Sequence, residues 1–218
     1  MQVDAEALKK VEEIYSEVGD VVRRRLAEFD LVWKMGSEED LFSEMAFCLL
    51  TPQSKAKVCW AAISSLRENG LLFSGTPEQI VEHLRGVRFK IRKSEYVVLA
   101  REQFSENGRL AVRERVASLG EPYEAREWLV KNVKGYGYKE ASHFLRNIGL
   151  GRGLTILDRH ILKNLKLLGV IQEVPSSLTR RKYLEIEDRM KTFAESVGIP
   201  VEQLDLVLWY KEAGEVFK

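Results

Sequence analysis

The chain has only two cysteines in 218 residues, Cys48 and Cys59. Two thiols cannot build a four-cysteine zinc site or a cubane iron–sulfur cluster, so both are expected to be reduced structural residues of a reducing compartment. Long apolar runs are also missing. The stretch Met45 to Leu50 falls far short of the roughly 20 residues a membrane span needs. The opening MQVDAEALKKVEE is charged and amphipathic, without the apolar core of a signal peptide. These absences predict an intracellular, cytoplasmic protein with no membrane partner. Tandem repeats, low-complexity tracts and linkers are lacking too. The three histidines, His83, His143 and His160, have no Asp, Glu or Cys at metal-ligand spacing, so no catalytic metal is expected, and each is read as solvent-facing or as a core hydrogen-bonding residue.

What remains is helical patterning around a near-neutral composition. The formal net charge is +1, but it is unevenly spread. Between Lys131 and Lys166 stand eight basic residues, Lys131, Lys134, Lys139, Arg146, Arg152, Arg159, Lys163 and Lys166, opposed only by Glu140 and Asp158. A local basic surface on a neutral protein suits a polyanion that docks in one place. Apolar residues at 3.6-residue spacing predict helices from Leu8 to Phe29, Leu41 to Leu50, Ser54 to Arg67, a Thr76-capped start to Leu84, Lys90 to Phe104, Leu110 to Ala117, Pro122 to Asn132, Tyr138 to Ile148, Asp158 to Leu168, Ser177 to Val197 and Val201 to Ala213. Val97–Leu99 and Val170-Ile171 are the only strand-like stretches. The expected fold class is all-α.

The stretch LVKNVKGYGYKEASHFLRNIGLGRGLTILDRHILKNL is the informative one. A helix ends near Asn132, a tight turn carries Gly135 and Gly137, and a second helix starts at Tyr138. Both glycines are expected to permit positive φ and close approach of a ligand. Turn amides and a helix N-terminus together favour an anion, and against DNA they grip phosphate without reading sequence. Lys139 falls in the first turn of the second helix, where the helix dipole disfavours positive charge, a setting that suits a nucleophilic lysine. Asp158, 19 residues later, is placed as the N-cap of the next helix.

Gly135, Gly137, Lys139 and Asp158, with Asp158-Arg159-His160 matching a D-x-H pattern, resemble the helix-hairpin-helix DNA glycosylase superfamily in its bifunctional, lysine-bearing form. LLTPQSKAKVCWAAI resembles the superfamily's helix start with a DNA-facing glutamine, here Gln53. DLVLWYKEAGEVFK resembles the type-2 8-oxoguanine DNA glycosylase/lyase subfamily. The endonuclease III and adenine glycosylase branches carry a four-cysteine cluster loop that this sequence does not have.

The resemblance implies one unit over residues 1–218, made of two helical lobes with a DNA-binding cleft between them and a helix-hairpin-helix motif at 128–149. It implies that Lys139 attacks C1′ of a flipped nucleotide, that Asp158 offsets charge developing on the sugar, and that the Schiff base then nicks the strand by β-elimination. No external cofactor is required. The expected partner is double-stranded DNA holding a damaged base, with the protein acting as a monomer. Gly135, Gly137 and Gln53 would face the DNA. An extruded base needs aromatic or apolar walls, for which Trp209 and Phe89 are candidates. Trp33, Trp60 and Trp128 are read as core. Oxidation at C8 turns guanine N7 into a donor, and a main-chain acceptor at Lys218, on a tail anchored by Val216 and Phe217, could meet it. An enzyme for oxidised pyrimidines, a non-catalytic hairpin module that holds phosphate, and a helical adaptor for an acidic protein remain alternatives at this point.

Overall fold

The structure, a computed structural model, describes residues 4–218. The fold is built from helices α1 (Ala5–Met35), α2 (Glu38–Leu50), α3 (Ala56–Glu68), α4 (Leu71–Ser74), α5 (Pro77–His83), α6 (Lys90–Gln103), α7 (Val112–Ala117), α8 (Pro122–Asn132), α9 (Tyr138–Asn147), α10 (Arg159–Leu167), α11 (Arg180–Ser196) and α12 (Val201–Ala213). The helix starts are chemically marked. Asp4, Ser37, Thr76, Asp158 and Thr179 each accept a first-turn amide with their side chains, which satisfies donors that the helix itself cannot. No described helix is long and apolar enough to cross a membrane.

Two separate apolar cores form two lobes. The first is centred on α2, which buries every residue from Leu41 to Leu50, and gathers Ile63, Leu66, Val97, Phe104, Leu129, Phe144 and Leu145 around it. The second packs α10, α11 and α12 through Ile161, Leu165, Ile186, Met190, Phe193, Leu204 and Leu208. The long α1 belongs to both: Val11, Val18 and Val22 lie in the second core, while Val32 and Trp33 pack on the first. At Gly149, φ is +77° and an added Cβ would stand 2.7 Å from the Asp30 Cα, so the loop after α9 rests directly on the backbone of α1.

The all-helical expectation holds with one exception. Asn107-Gly108, read in sequence as a break between helices, is the two-residue loop of a β-hairpin, β1 (Ser105–Glu106) and β2 (Arg109–Leu110). Both loop residues take positive φ, +50° and +76°, as a tight hairpin turn needs. The strand-like Val97–Leu99 is helical, and because Leu110 belongs to β2, α7 starts only at Val112. The third helix also begins later than expected, at Ala56. Residues 51–55 are an open loop in which Gln53 has φ +56°, so Gln53 does not lie on a helix start.

Across the lobe boundary, α8 and α11 are joined by a buried ion pair. Arg126 donates to Glu187 through Nη1 at 2.6 Å and Nη2 at 2.9 Å, with side chains 1% and 3% exposed. Thr155 adds its amide and hydroxyl to the same carboxylate at 3.0 and 3.1 Å. The guanidinium is ringed by Tyr123, Tyr138 and Tyr183 at 5.4–5.6 Å. Burial pushes the Glu187 carboxyl upward, but the Arg126 hydrogen bonds and charge outweigh it and hold the group below its ordinary range.

Candidate active site

The hairpin between α8 and α9 lies where the two lobes meet. Tyr136 anchors its turn in the first lobe, where its hydroxyl donates to the Met45 carbonyl at 3.0 Å. Tyr138, at the start of α9, packs on the second core and stacks against Tyr183 at 5.3 Å. Gly135 fits the expectation of a special backbone: φ is +95°, and a Cβ would press to 2.5 Å from the Tyr96 ring. Gly137 does not. Its φ of −111° and ψ of −173° are extended backbone open to any residue, so the positive φ expected there is not found. A Cβ would meet only Glu140 Oε2, at 3.1 Å, and that carboxylate already accepts the Gly137 amide at 3.1 Å.

Lys139 occupies the first turn of α9 with its side chain 20% exposed. Its amine donates to the Thr51 hydroxyl at 3.0 Å and stands 3.7 Å from Glu140 Oε1. Asp158 is the N-cap of α10, as the sequence predicts. Its Oδ1 accepts the amides of His160 at 2.8 Å and Ile161 at 2.9 Å. No ion pair joins Lys139 to Asp158 among the described residues. Both act instead on a third group missed by the sequence reading, Asp205 on α12. Burial pushes its carboxyl up to about 6, with Arg146 opposing, Asp158 raising it further and Lys139 lowering it. Arg146 donates to Asp205 at 2.6 Å. It is therefore the one buried member of the basic segment, while Lys131, Lys134, Arg152, Arg159, Lys163 and Lys166 are exposed.

The loop that holds Thr51 is fixed by a second lysine, also missed. Lys93, 4% exposed, donates to the carbonyls of Leu50 and Pro52 at 2.6 and 2.7 Å and to the Ser54 hydroxyl at 3.2 Å. Burial brings its amine down to about 8, and the charge of Lys139 contributes. Ser54 in turn accepts the Arg88 amide at 3.0 Å, which seats Gln53 and Phe89 on one rim. Phe89 is 54% exposed with φ +57°, and the Arg88 guanidinium lies 5.4 Å over its ring. Cys59 donates to the Leu50 carbonyl at 3.2 Å, and both cysteines are free, buried thiols.

Trp209 is half-buried on α12, one turn beyond Asp205. It stands edge-on to His160 at 5.2 Å, and its buried indole nitrogen has no hydrogen-bond partner among the described residues. Trp33, Trp60 and Trp128, read as core, are also half-buried and pack against the first core. Beyond Gly214, the segment to Lys218 crosses the lobe boundary, with Val216 on the second core and Phe217 on the first. Its neighbour His143 is not solvent-facing, and its ring lies against the main chain of Lys218, whose backbone hydrogen bond works against the charges around it. It is 5% exposed and stacks edge-on to Phe47 at 5.5 Å, with no side-chain partner for either ring nitrogen among the described residues. Burial, with the nearby charges of Lys139, Arg146 and Lys218, holds the ring well below its ordinary range and therefore neutral. His83 and His160 do find partners, Ser65 at 3.0 Å and Glu212 at 3.4 Å.

The chain is similar to known proteins over nearly its whole length. A profile of the family described as 8-oxoguanine DNA glycosylase matches residues 22–199. A Fusobacterium nucleatum protein named 8-oxoguanine DNA glycosylase/AP lyase is 48% identical, over 98% of each chain. The protein of that name from Methanocaldococcus jannaschii is 41% identical over 97% of this chain and 99% of its own. Among solved structures, the 8-oxoguanine DNA glycosylase of Thermotoga maritima superposes with a TM-score of 0.86 at 36% identity, over 98% of this chain and 99% of its own. The Methanocaldococcus jannaschii glycosylase/lyase bound to a 15-mer DNA containing 8-oxoguanine gives a TM-score of 0.86 at 38% identity, over 96% and 98% of the two chains.

Proposed function

The chain belongs to the 8-oxoguanine DNA glycosylase family of helix-hairpin-helix proteins, and from that membership we propose that it excises 8-oxoguanine from duplex DNA and nicks the resulting abasic site, with Lys139 as nucleophile and Asp158 as its acidic partner. The observation that carries the assignment of Lys139 is the company its amine keeps. A structural lysine at the same depth would be closed off in a tight carboxylate pair, as Arg126 is. Lys139 instead donates to one neutral hydroxyl, with the Glu140 carboxylate no nearer than 3.7 Å, at the lobe boundary, in the turn after the hairpin.

In this reading the duplex lies along the hairpin and the exposed basic residues, and the lesion nucleotide turns into the cleft. Lys139 gives its lone pair to C1′ as the glycosidic bond breaks and its electrons leave with the base. Loss of the amine proton and opening of the sugar ring give a Schiff base. Removal of a C2′ proton then expels the 3′ phosphate. Asp158, fixed by two amides through one oxygen, offsets the positive charge on the sugar with the other. Gly135, Gly137 and Gln53 face the DNA backbone, and Phe89, Trp209 and Lys218 border the base. All of these residues come from one chain, which suits a monomer working at the nucleoid.

The test compares wild type with Lys139→Gln on duplexes carrying 8-oxoguanine, thymine glycol or an abasic site. Borohydride should trap wild type covalently on 8-oxoguanine and abasic DNA, and the variant on neither, while duplex affinity changes by less than about threefold. Equal trapping of the variant would remove Lys139 from the role, and preferential release of thymine glycol would move the substrate to oxidised pyrimidines.

A further inference from the structure

Leu50 closes α2 and Ala56 opens α3, and the loop between them, residues 51–55, hangs on one buried amine. Lys93 reaches it from near the start of α6 and takes its acceptors from alternate residues, the carbonyls of Leu50 and Pro52 and the hydroxyl of Ser54. All three are uncharged groups, and no carboxylate pairs with this amine among the described residues. A lysine that merely closed the C-terminus of α2 would need only the Leu50 carbonyl, one of the acceptors that a helix end leaves unsatisfied. Burying an ammonium without a counterion is costly, and this one spans the loop instead of stopping at the helix.

What the span encloses gives it a purpose. Between Pro52 and Ser54, Gln53 is held at φ +56°, a conformation that a residue with a side chain adopts only at a cost. Between Leu50 and Pro52 stands Thr51, 7% exposed. Its hydroxyl donates to the Cys48 carbonyl at 3.1 Å, so its proton is committed to the backbone and a lone pair is left for the Lys139 amine at 3.0 Å. A lysine side chain is long and flexible, whereas attack on a sugar carbon demands that its nitrogen sit in one place. The hydrogen bond to Thr51 marks that place, and the loop that carries Thr51 keeps its curvature through Lys93.

We propose that Lys93 is a positioning residue for the nucleophile: by gathering residues 50, 52 and 54 around its amine, it holds the Thr51 hydroxyl where that hydroxyl aims the Lys139 amine at the sugar. The inference rests on the reading above that Lys139 is the attacking group.

The experiment follows the rate of borohydride trapping on a pre-formed abasic duplex at saturating enzyme, with duplex affinity and melting temperature taken in parallel. The proteins are wild type, Lys93→Met, Ser54→Ala, Thr51→Val, Thr51→Ser and the double variant Lys93→Met with Thr51→Val. An abasic site has no base to hold, so the rate reports the amine alone. Thr51→Val and Lys93→Met should each lower the saturating rate about tenfold or more, the scale of a reacting group placed slightly wrong. The double variant should match the slower single one within about threefold, because the two act through one contact. Thr51→Ser, which keeps the hydroxyl, should retain most of the rate. Ser54→Ala removes one of the three acceptors while leaving the amine in place, and should lower the rate about threefold; it carries the test if Lys93→Met does not fold. A purely structural role would shift the melting temperature or the duplex affinity and leave the saturating rate of the folded enzyme unmoved. That result, or losses that multiply in the double variant, overturns the proposal. Failure of the Lys139 assignment is separately visible, because Lys139→Gln would then be trapped as well as wild type.

Discussion

Two arginine–carboxylate pairs are buried among the described residues, and they behave in opposite ways. Arg126 and Glu187 meet face to face with two hydrogen bonds, and Thr155 fills what remains of the carboxylate. Arg146 and Asp205 share a single 2.6 Å contact, and the arginine spends its other donors on Asn147. The first carboxyl is pulled below its ordinary range in spite of burial, and the second is pushed up to about 6 because of it. A saturated pair holds the lobes, whereas an under-coordinated one leaves a charge whose state depends on its neighbours. Those neighbours are Asp158 and Lys139, so the unsaturated pair lies on the side of the lobe boundary where the proposed nucleophile and its acidic partner stand.

The largest effect should come from breaking the saturated pair. Glu187→Gln leaves Arg126 buried without a counterion and should cost about 3–5 kcal/mol in urea denaturation at neutral pH, while the folded variant still nicks abasic DNA. A loss under about 1 kcal/mol would show that the pair does not hold the lobes.

The second effect is a pH dependence. The folded-state value for Asp205, about 6, lies above its ordinary 3.8, so the native state binds a proton that the unfolded chain has released. The stability advantage of wild type over Asp205→Asn should therefore be greatest near pH 4, decline as pH rises through 6, and stay level beyond. A shift of this size corresponds to a change of about 2–3 kcal/mol. Glu187 gives the opposite sign in a lower window: its contribution is present above about pH 4.5 and is lost as pH falls below that. Melting curves from pH 3.5 to 8 on Asp205→Asn and Glu187→Gln separate the two, and parallel profiles would erase the distinction between the pairs.

The smallest effect on stability should follow Asp158→Asn. Asparagine caps helices as well as aspartate, so the change should stay within about 0.5 kcal/mol. Removing the Asp158 charge should nevertheless move the Asp205 transition to lower pH, because that charge raises it. Excision should fall by about a hundredfold or more, the scale of losing one electrostatic stabiliser of the transition state. A variant that unfolds would leave Asp158 as a cap alone.

The hairpin was legible in the sequence because its chemistry is local. Gly135, Lys139 and the capping Asp158 sit at fixed spacings that a turn and two helix starts impose. The partners of these residues were not legible, because they arrive from far along the chain. Thr51 and Lys139 are 88 residues apart, and Glu44 and Lys218 are 174 apart. A signal did exist. Glu44 interrupts a run in which every other residue from Leu41 to Leu50 is apolar save Ser43, and Asp205 lies among apolar residues on a helix buried on most sides. A charge on such a helix has no solvent face to turn to and must be paired. The β-hairpin at Asn107-Gly108 escaped because two-residue strands carry no alternation to read.

The long first helix has a mechanical meaning. Its 31 residues make a continuous rod of roughly 45 Å, with one stretch embedded in each core and no interruption between them to serve as a hinge. Spreading the lobes would require bending that rod or dragging Val18 and Val22 out of their packing. The cleft is therefore a die of nearly fixed shape, and the work of conforming falls on the duplex. An 8-oxoguanine pair that unstacks more readily than its neighbours reaches that shape at lower elastic cost.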